Sequence, residues 1–201
     1  MKFNDFLNQL LRCPIFDARD NVVGYQLEFC HGLRTTFPSL DTEARERLCS
    51  ELAEQLPRLT LGKDAIIQFN SDGVCNGVPN LLPKEQVWVS VVDNGAPDRK
   101  LLDACKELVE RGYRIALTDH DPYSHWEPFY QIAGVIELSV SANQSLTELT
   151  KNIAAVKRHG CEVLVYGTLD RLQREHCQDL GVNYFVDPEY RSVAHEPHRA
   201  S

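Results

Sequence analysis

Apolar residues recur along this chain with two periods that take turns. Ile15-Phe16 and the run Val22 to Phe29 flank the turn-rich Ala18-Arg19-Asp20-Asn21, which predicts an antiparallel hairpin over 14–17 and 22–29. A period near 3.6 then puts Ala44, Leu48, Leu52 and Leu56 on one helix face from about Thr42, with Asp41 as N-cap and Pro57 interrupting the helix near its end. Short apolar runs at 65–69 and 87–92 read as strands. A helix from about Asp98 is expected to bury Leu101, Leu102, Cys105, Leu108 and Val109 and to stop at Gly112. The alternation continues with a strand at 113–117, an irregular loop and a strand at 134–140. Ser145 and Glu148 then give a capping-box signature for a helix that runs to Gly160. A strand at 162–166, a helix over 170–180 and a strand at 183–186 complete the pattern.

Strands alternating with helices through short connections specify a parallel sheet. Roughly eight strands point to a closed (β/α) barrel rather than an open sheet. At 201 residues the chain falls below the roughly 250 typical of a regular barrel, so a shortened, modified barrel is expected. The domain is expected over 1–190, followed by a loose polar tail over 191–201.

Composition narrows the partners. A net charge of −8 without a basic cluster argues against nucleic acid, whose binding rests on neutralising phosphates. No apolar run approaches the roughly 20 residues of a membrane span, and the first residues lack a signal-peptide stretch, so a cytoplasmic location is expected. The seven cysteines are scattered without a Cys-x-x-Cys pair and read as free, mostly buried thiols. Trp88 reads as core and Trp126 as loop packing.

Barrel chemistry belongs at the C-terminal strand ends. Here those ends carry mostly neutral groups, whereas paired divalent ions need several convergent carboxylates. The turn Thr118-Asp119-His120-Asp121 is the segment richest in ligand types. It reads as a solvated loop capping its own backbone, and the other reading is a metal site formed with His125.

Four segments then carry a resemblance. Cys13-Pro14-Ile15-Phe16-Asp17 with Val22-Val23-Gly24-Tyr25-Gln26-Leu27-Glu28-Phe29 resembles the opening of an EAL domain, nearest the EAL half of EAL–HDOD proteins. The segments 81–87, 112–119 and 180–185 resemble later family motifs in the same order. The resemblance implies an EAL-type barrel with cyclic di-GMP phosphodiesterase ancestry. It also implies that family site positions fall on Gln26, Cys30, Gln68, Ser90, Thr118, Asp119, Glu137, Ser139, Tyr166 and Val186. Of these only Asp119 keeps the family residue. Gln26 stands for a metal-binding glutamate, Cys30 for a dinucleotide-contacting arginine and Glu137 for a lysine. The expectation drawn is a degenerate EAL domain that is not an enzyme, has no catalytic or metal-binding residue and needs no cofactor. It would regulate motility or biofilm formation through a protein partner. The other expectations are a non-hydrolysing cyclic di-GMP receptor and a residual phosphodiesterase, and the resemblance also implies a homodimer.

Overall fold

The opening hairpin forms as β1 (Leu10–Asp17) and β2 (Val22–Phe29) in a computed structural model that describes residues 10–30, 36–92, 97–118, 126–140 and 145–194. The Asp17 carboxylate fixes the turn by accepting the backbone N–H of Arg19 at 2.8 Å and of Asn21 at 2.9 Å. From β2 onward each strand lies parallel to the previous one. These are β3 (Asp64–Asn70), β4 (Val87–Val92), β5 (Arg114–Thr118), β6 (Val135–Ser139), β7 (Glu162–Tyr166) and β8 (Tyr184–Val186). β1 runs against both β8 and β2 and closes the ring. The expected modified α/β barrel opening with an antiparallel hairpin is the observed architecture.

Helices cover the outside: α1 (Thr42–Leu59), α2 (Ser71–Cys75), α3 (Arg99–Glu110), α4 (Glu127–Tyr130), α5 (Leu146–Arg158) and α6 (Arg171–Asp179). Asp41, Asp98, Ser145 and Asp170 each accept a first-turn backbone N–H, so these starts follow from local capping. Pro57 does not stop α1. The helix continues through it to Leu59, because a proline in the last turns removes one intrahelical bond while buried Leu56 and Leu59 hold the segment down. In α3, Val109 is exposed rather than buried, since its position falls off the stripe made by Leu101, Cys105 and Leu108. Two short helices, α2 and α4, were not expected; four or five residues are too few to show a helical period. Trp126, in the turn before α4, is 2% exposed and lies against Phe129 with ring centroids 4.8 Å apart.

Two apolar layers follow from strand parity. Leu27, Ile67, Val89, Leu117, Ile136 and Val163 face the helices. A smaller interior plug holds Cys13, Ile15, Ile66, Ala116, Val135, Leu164 and Val186. Below the plug, the Trp88 indole donates to Asp64 at 3.0 Å, Arg114 lies over its ring and Tyr184 meets its edge, which floors the barrel. The seven cysteines are free, as expected.

Part of the stretch read as a tail is structured. Ser192–Val193 form β9, which pairs with Leu11 and Arg12 of β1. Gly167 ends β7 with φ +136°, and a Cβ there would lie 2.9 Å from the Val140 carbonyl oxygen. Gly167→Ala is therefore expected to destabilise the protein by about 1–3 kcal/mol, read as a lower urea midpoint. An unchanged midpoint would show that the turn tolerates a side chain.

Candidate functional site

The candidate site is the barrel mouth at the C-terminal strand ends. In β2, Tyr25, Leu27 and Phe29 join the outer core, so the opposite parity turns Gln26 and Glu28 into the barrel. The same rule aims Gln68, Ser90, Thr118, Glu137 and Tyr166 inward, around buried Val186. Cys30 and Ser139 are half-buried at the ends of β2 and β6. Asp119 lies outside the described residues, as do His120, Asp121 and His125. Thr118 itself is buried strand rather than solvated loop.

On one side of the mouth, Ser90 Oγ lies 2.6 Å from Thr118 Oγ1, which in turn donates to Glu137 Oε2 at 3.3 Å. With Thr118 donating to the carboxylate, Ser90 is the donor to Thr118, giving a directed chain of hydroxyls ending on a buried acid. On the other side, Glu28 is 1% exposed and meets Arg191. Arg191 Nη2 donates to Glu28 Oε1 at 3.2 Å and to the Tyr166 hydroxyl at 2.7 Å. Arg191 Nε lies 2.9 Å from Glu28 Oε2, within ion-pair reach but off the N–H direction. The Tyr166 hydroxyl also reaches Glu28 Oε1 at 3.4 Å, so β7 and β2 touch across the barrel. Gln26, 1% exposed, has its Oε1 without a hydrogen-bond partner among the described residues.

Burial sets the acidities here. It pushes the Glu28 carboxyl above its ordinary value, with Arg191 and the Tyr166 hydroxyl opposing. Burial and the charge of Glu28 push both the Cys13 thiol and the Tyr166 phenol up to about 12, so neither ionises near neutrality. For Arg191 burial works against the charge, yet Glu28, Tyr166 and Cys13 outweigh it and raise its pKa.

Sequence reading missed Glu28 and Arg191. Period two along β2 puts Glu28 on the face of Gln26, so the first was legible; Arg191 lay in the presumed tail and carried no signal.

No family model matches the chain. Over 142 residues it is 30% identical to the Vibrio cholerae protein named cyclic di-GMP phosphodiesterase CdgJ, covering 68% of this chain and 33% of that protein. The chain spans about a third or less of the curated relatives it matches. An EAL domain protein from Listeria monocytogenes superposes with a TM-score of 0.68 at 13% identity, over 92% of this chain and 90% of that one. This is an EAL-type fold. The PaMucR phosphodiesterase in complex with cyclic di-GMP shares it with a TM-score of 0.67 at 14% identity, over 93% of this chain and 95% of that one.

These comparisons overturn the expectation that the chain is not an enzyme. The relative sharing 30% identity is a named phosphodiesterase, and the same EAL barrel serves a phosphodiesterase of known structure. Substitutions read along one sequence gave no measure of activity, and the Asp119 turn falls outside the described residues. Phosphodiesterases of the EAL type imply divalent cations. Among the described residues no group of three or more His, Cys, Asp or Glu comes together to hold one, and Glu28 is already engaged by Arg191. The described donors do not fit that group. Among the described residues no helix is long and apolar enough to cross a membrane.

Proposed function

We propose that this EAL-type chain is a regulatory module of bacterial cyclic di-GMP signalling, of the kind that controls motility or biofilm formation, and that its output is contact with a protein partner in the cytoplasm. The observation that carries this reading is the Arg191 guanidinium in the barrel mouth, bound to Glu28 and Tyr166, where a barrel enzyme receives its substrate. A mouth filled from within leaves the outer surface as the means of transmitting a signal. Kinship with CdgJ supports the cyclic di-GMP context.

A second reading is that cyclic di-GMP enters the mouth and is hydrolysed there. The name of CdgJ favours it, and so does the Oε1 of Gln26, a buried acceptor without a partner among the described residues that a ligand donor would satisfy.

Calorimetric titration with cyclic di-GMP, with and without Mg²⁺ or Ca²⁺, separates the two when the same samples are assayed for linear product. The first reading expects a protein captured by this chain that binds it again when both are purified, and it fails if the purified pair does not bind. Binding of the dinucleotide with product above the buffer background establishes the second.

A further inference from the structure

β8 and β9 behave as one strand interrupted in the middle. β8 pairs with Ile15–Asp17 and β9 with Leu11 and Arg12, so the ladder breaks opposite Cys13 and Pro14. Proline has no N–H to contribute to a ladder, which makes this a natural place for a partner strand to depart. Over residues 187–191 the chain leaves the ladder with β1 at the C-terminal end of β8, on the rim of the mouth. Asp187 holds the near end, its carbonyl accepting the Cys13 thiol at 3.1 Å and its carboxylate accepting the Thr168 hydroxyl at 2.9 Å. The short turn Pro188–Tyr190 sets the Tyr190 ring edge-on to Phe16, with centroids 5.6 Å apart, and Arg191 then turns inward.

The far end is held weakly by comparison. β9 has two residues, and Ala194 adds one backbone bond to the Leu10 carbonyl at 2.9 Å. A two-residue pairing is marginal without a further anchor. That anchor is Arg191, which meets a carboxylate buried at 1% exposure.

We propose that residues 187–194 are a strap on the barrel rim that closes the mouth through the Arg191 side chain, and that the bond of Arg191 to Glu28 and Tyr166 is its fastening. With the fastening made, the Arg191 side chain covers Glu28 and the Tyr166 hydroxyl, and the Asp187 carbonyl covers the Cys13 thiol. With it released, the ladder to β1 at Leu11 and Arg12 frays and the mouth opens to solvent. The inference goes beyond the proposed function and does not need it, because the strap is tested without any ligand.

The test compares wild type with Arg191→Ala, Arg191→Lys and Glu28→Gln by hydrogen exchange resolved at the peptide level. In Arg191→Ala and Glu28→Gln the amides of 192–194 are expected to exchange about tenfold faster or more, while β4 and β5 keep wild-type protection. Arg191→Lys, which keeps the charge but loses the fork, is expected to fall between. A second readout is alkylation of Cys13 by iodoacetamide, followed on its own peptide. Removing Arg191 takes away a charge that lowers the Cys13 pKa, and removing Glu28 takes away one that raises it. Faster alkylation in both variants therefore reports access and not acidity. Unchanged exchange at 192–194, or unchanged alkylation in either variant, overturns the strap. Should Arg191→Ala not fold, Glu28→Gln and Arg191→Lys decide by hydrogen exchange at 192–194.

Discussion

Phe69→Ala is expected to cost about 3–5 kcal/mol, the range for removing a buried ring. Phe69 is 1% exposed at the end of β3, stacked on Phe37 at 5.3 Å, and Phe37 meets Phe29 edge-on at 5.2 Å. The three rings join β2 to β3 on the helix side, directly behind Glu28 and Gln68, and the Phe37 N–H donates to the Gln68 carbonyl at 2.7 Å. The cavity left by alanine would be bounded by rings that cannot collapse independently, so the loss belongs near the upper end. For a chain of this size each kcal/mol moves Tm by about 2–4 °C, so a fall of about 10–20 °C is expected. Leu172→Ala, at a side chain 75% exposed on α6, is the matched control and belongs within about 0.5 kcal/mol of wild type. Equal Tm shifts for the two variants would show that the ring layer is not packed as described.

Glu28→Gln is expected to change the slope of stability against pH. Burial raises the folded-state pKa of Glu28 above its unfolded value, so the folded protein holds this proton more tightly than the unfolded chain does. The favourable contribution of the neutral carboxyl is complete below the unfolded pKa. It is lost as pH climbs through the raised folded value, because an ionised carboxylate in that position carries a desolvation cost that Arg191 offsets only in part. Glutamine cannot ionise and lacks this loss. Arg191, with its side chain 32% exposed, can hydrate its charge when the partner is neutral. Relative to wild type, the variant should therefore gain stability from about pH 4 upward and level off above the raised value. The lowered pKa of Asp17 works in the opposite direction in both proteins and cancels from the difference. Urea unfolding at a series of pH values checks this, and parallel curves would mean that Glu28 does not titrate in a buried setting.

Most of the barrel was legible because each element obeys a local rule. The strand at 162–166 and the helix starts behind Asp41, Asp98 and Ser145 follow from period and capping, which need no tertiary information. α1 was harder, since what carries it past Pro57 is the burial of Leu56 and Leu59 against the barrel. At the mouth, family positions such as Gln26, Gln68, Ser90, Thr118, Glu137 and Tyr166 do point to one place, because strand parity fixes side-chain direction. Their partners were not legible. The Arg191–Glu28 pair joins residues 163 positions apart, and nothing in a polar C-terminal stretch marks one arginine as the group that returns to the barrel. The reading of lost catalysis failed for a related reason: residue types were weighed one by one, whereas a protein 30% identical over 142 residues is a named phosphodiesterase.

The reversed direction of β1 has a mechanical consequence. Leu10 opens that strand opposite Phe29, at the end of β2 where the mouth lies, and the Ala194 amide bonds to the Leu10 carbonyl. The first and last described rungs of the ring thus meet at a single point on the rim. A pull applied there would be borne first by that rung, next by the pairing of Leu11 and Arg12 with Val193 and Ser192, and then by Arg191, well before any load reached the helices or the aromatic floor.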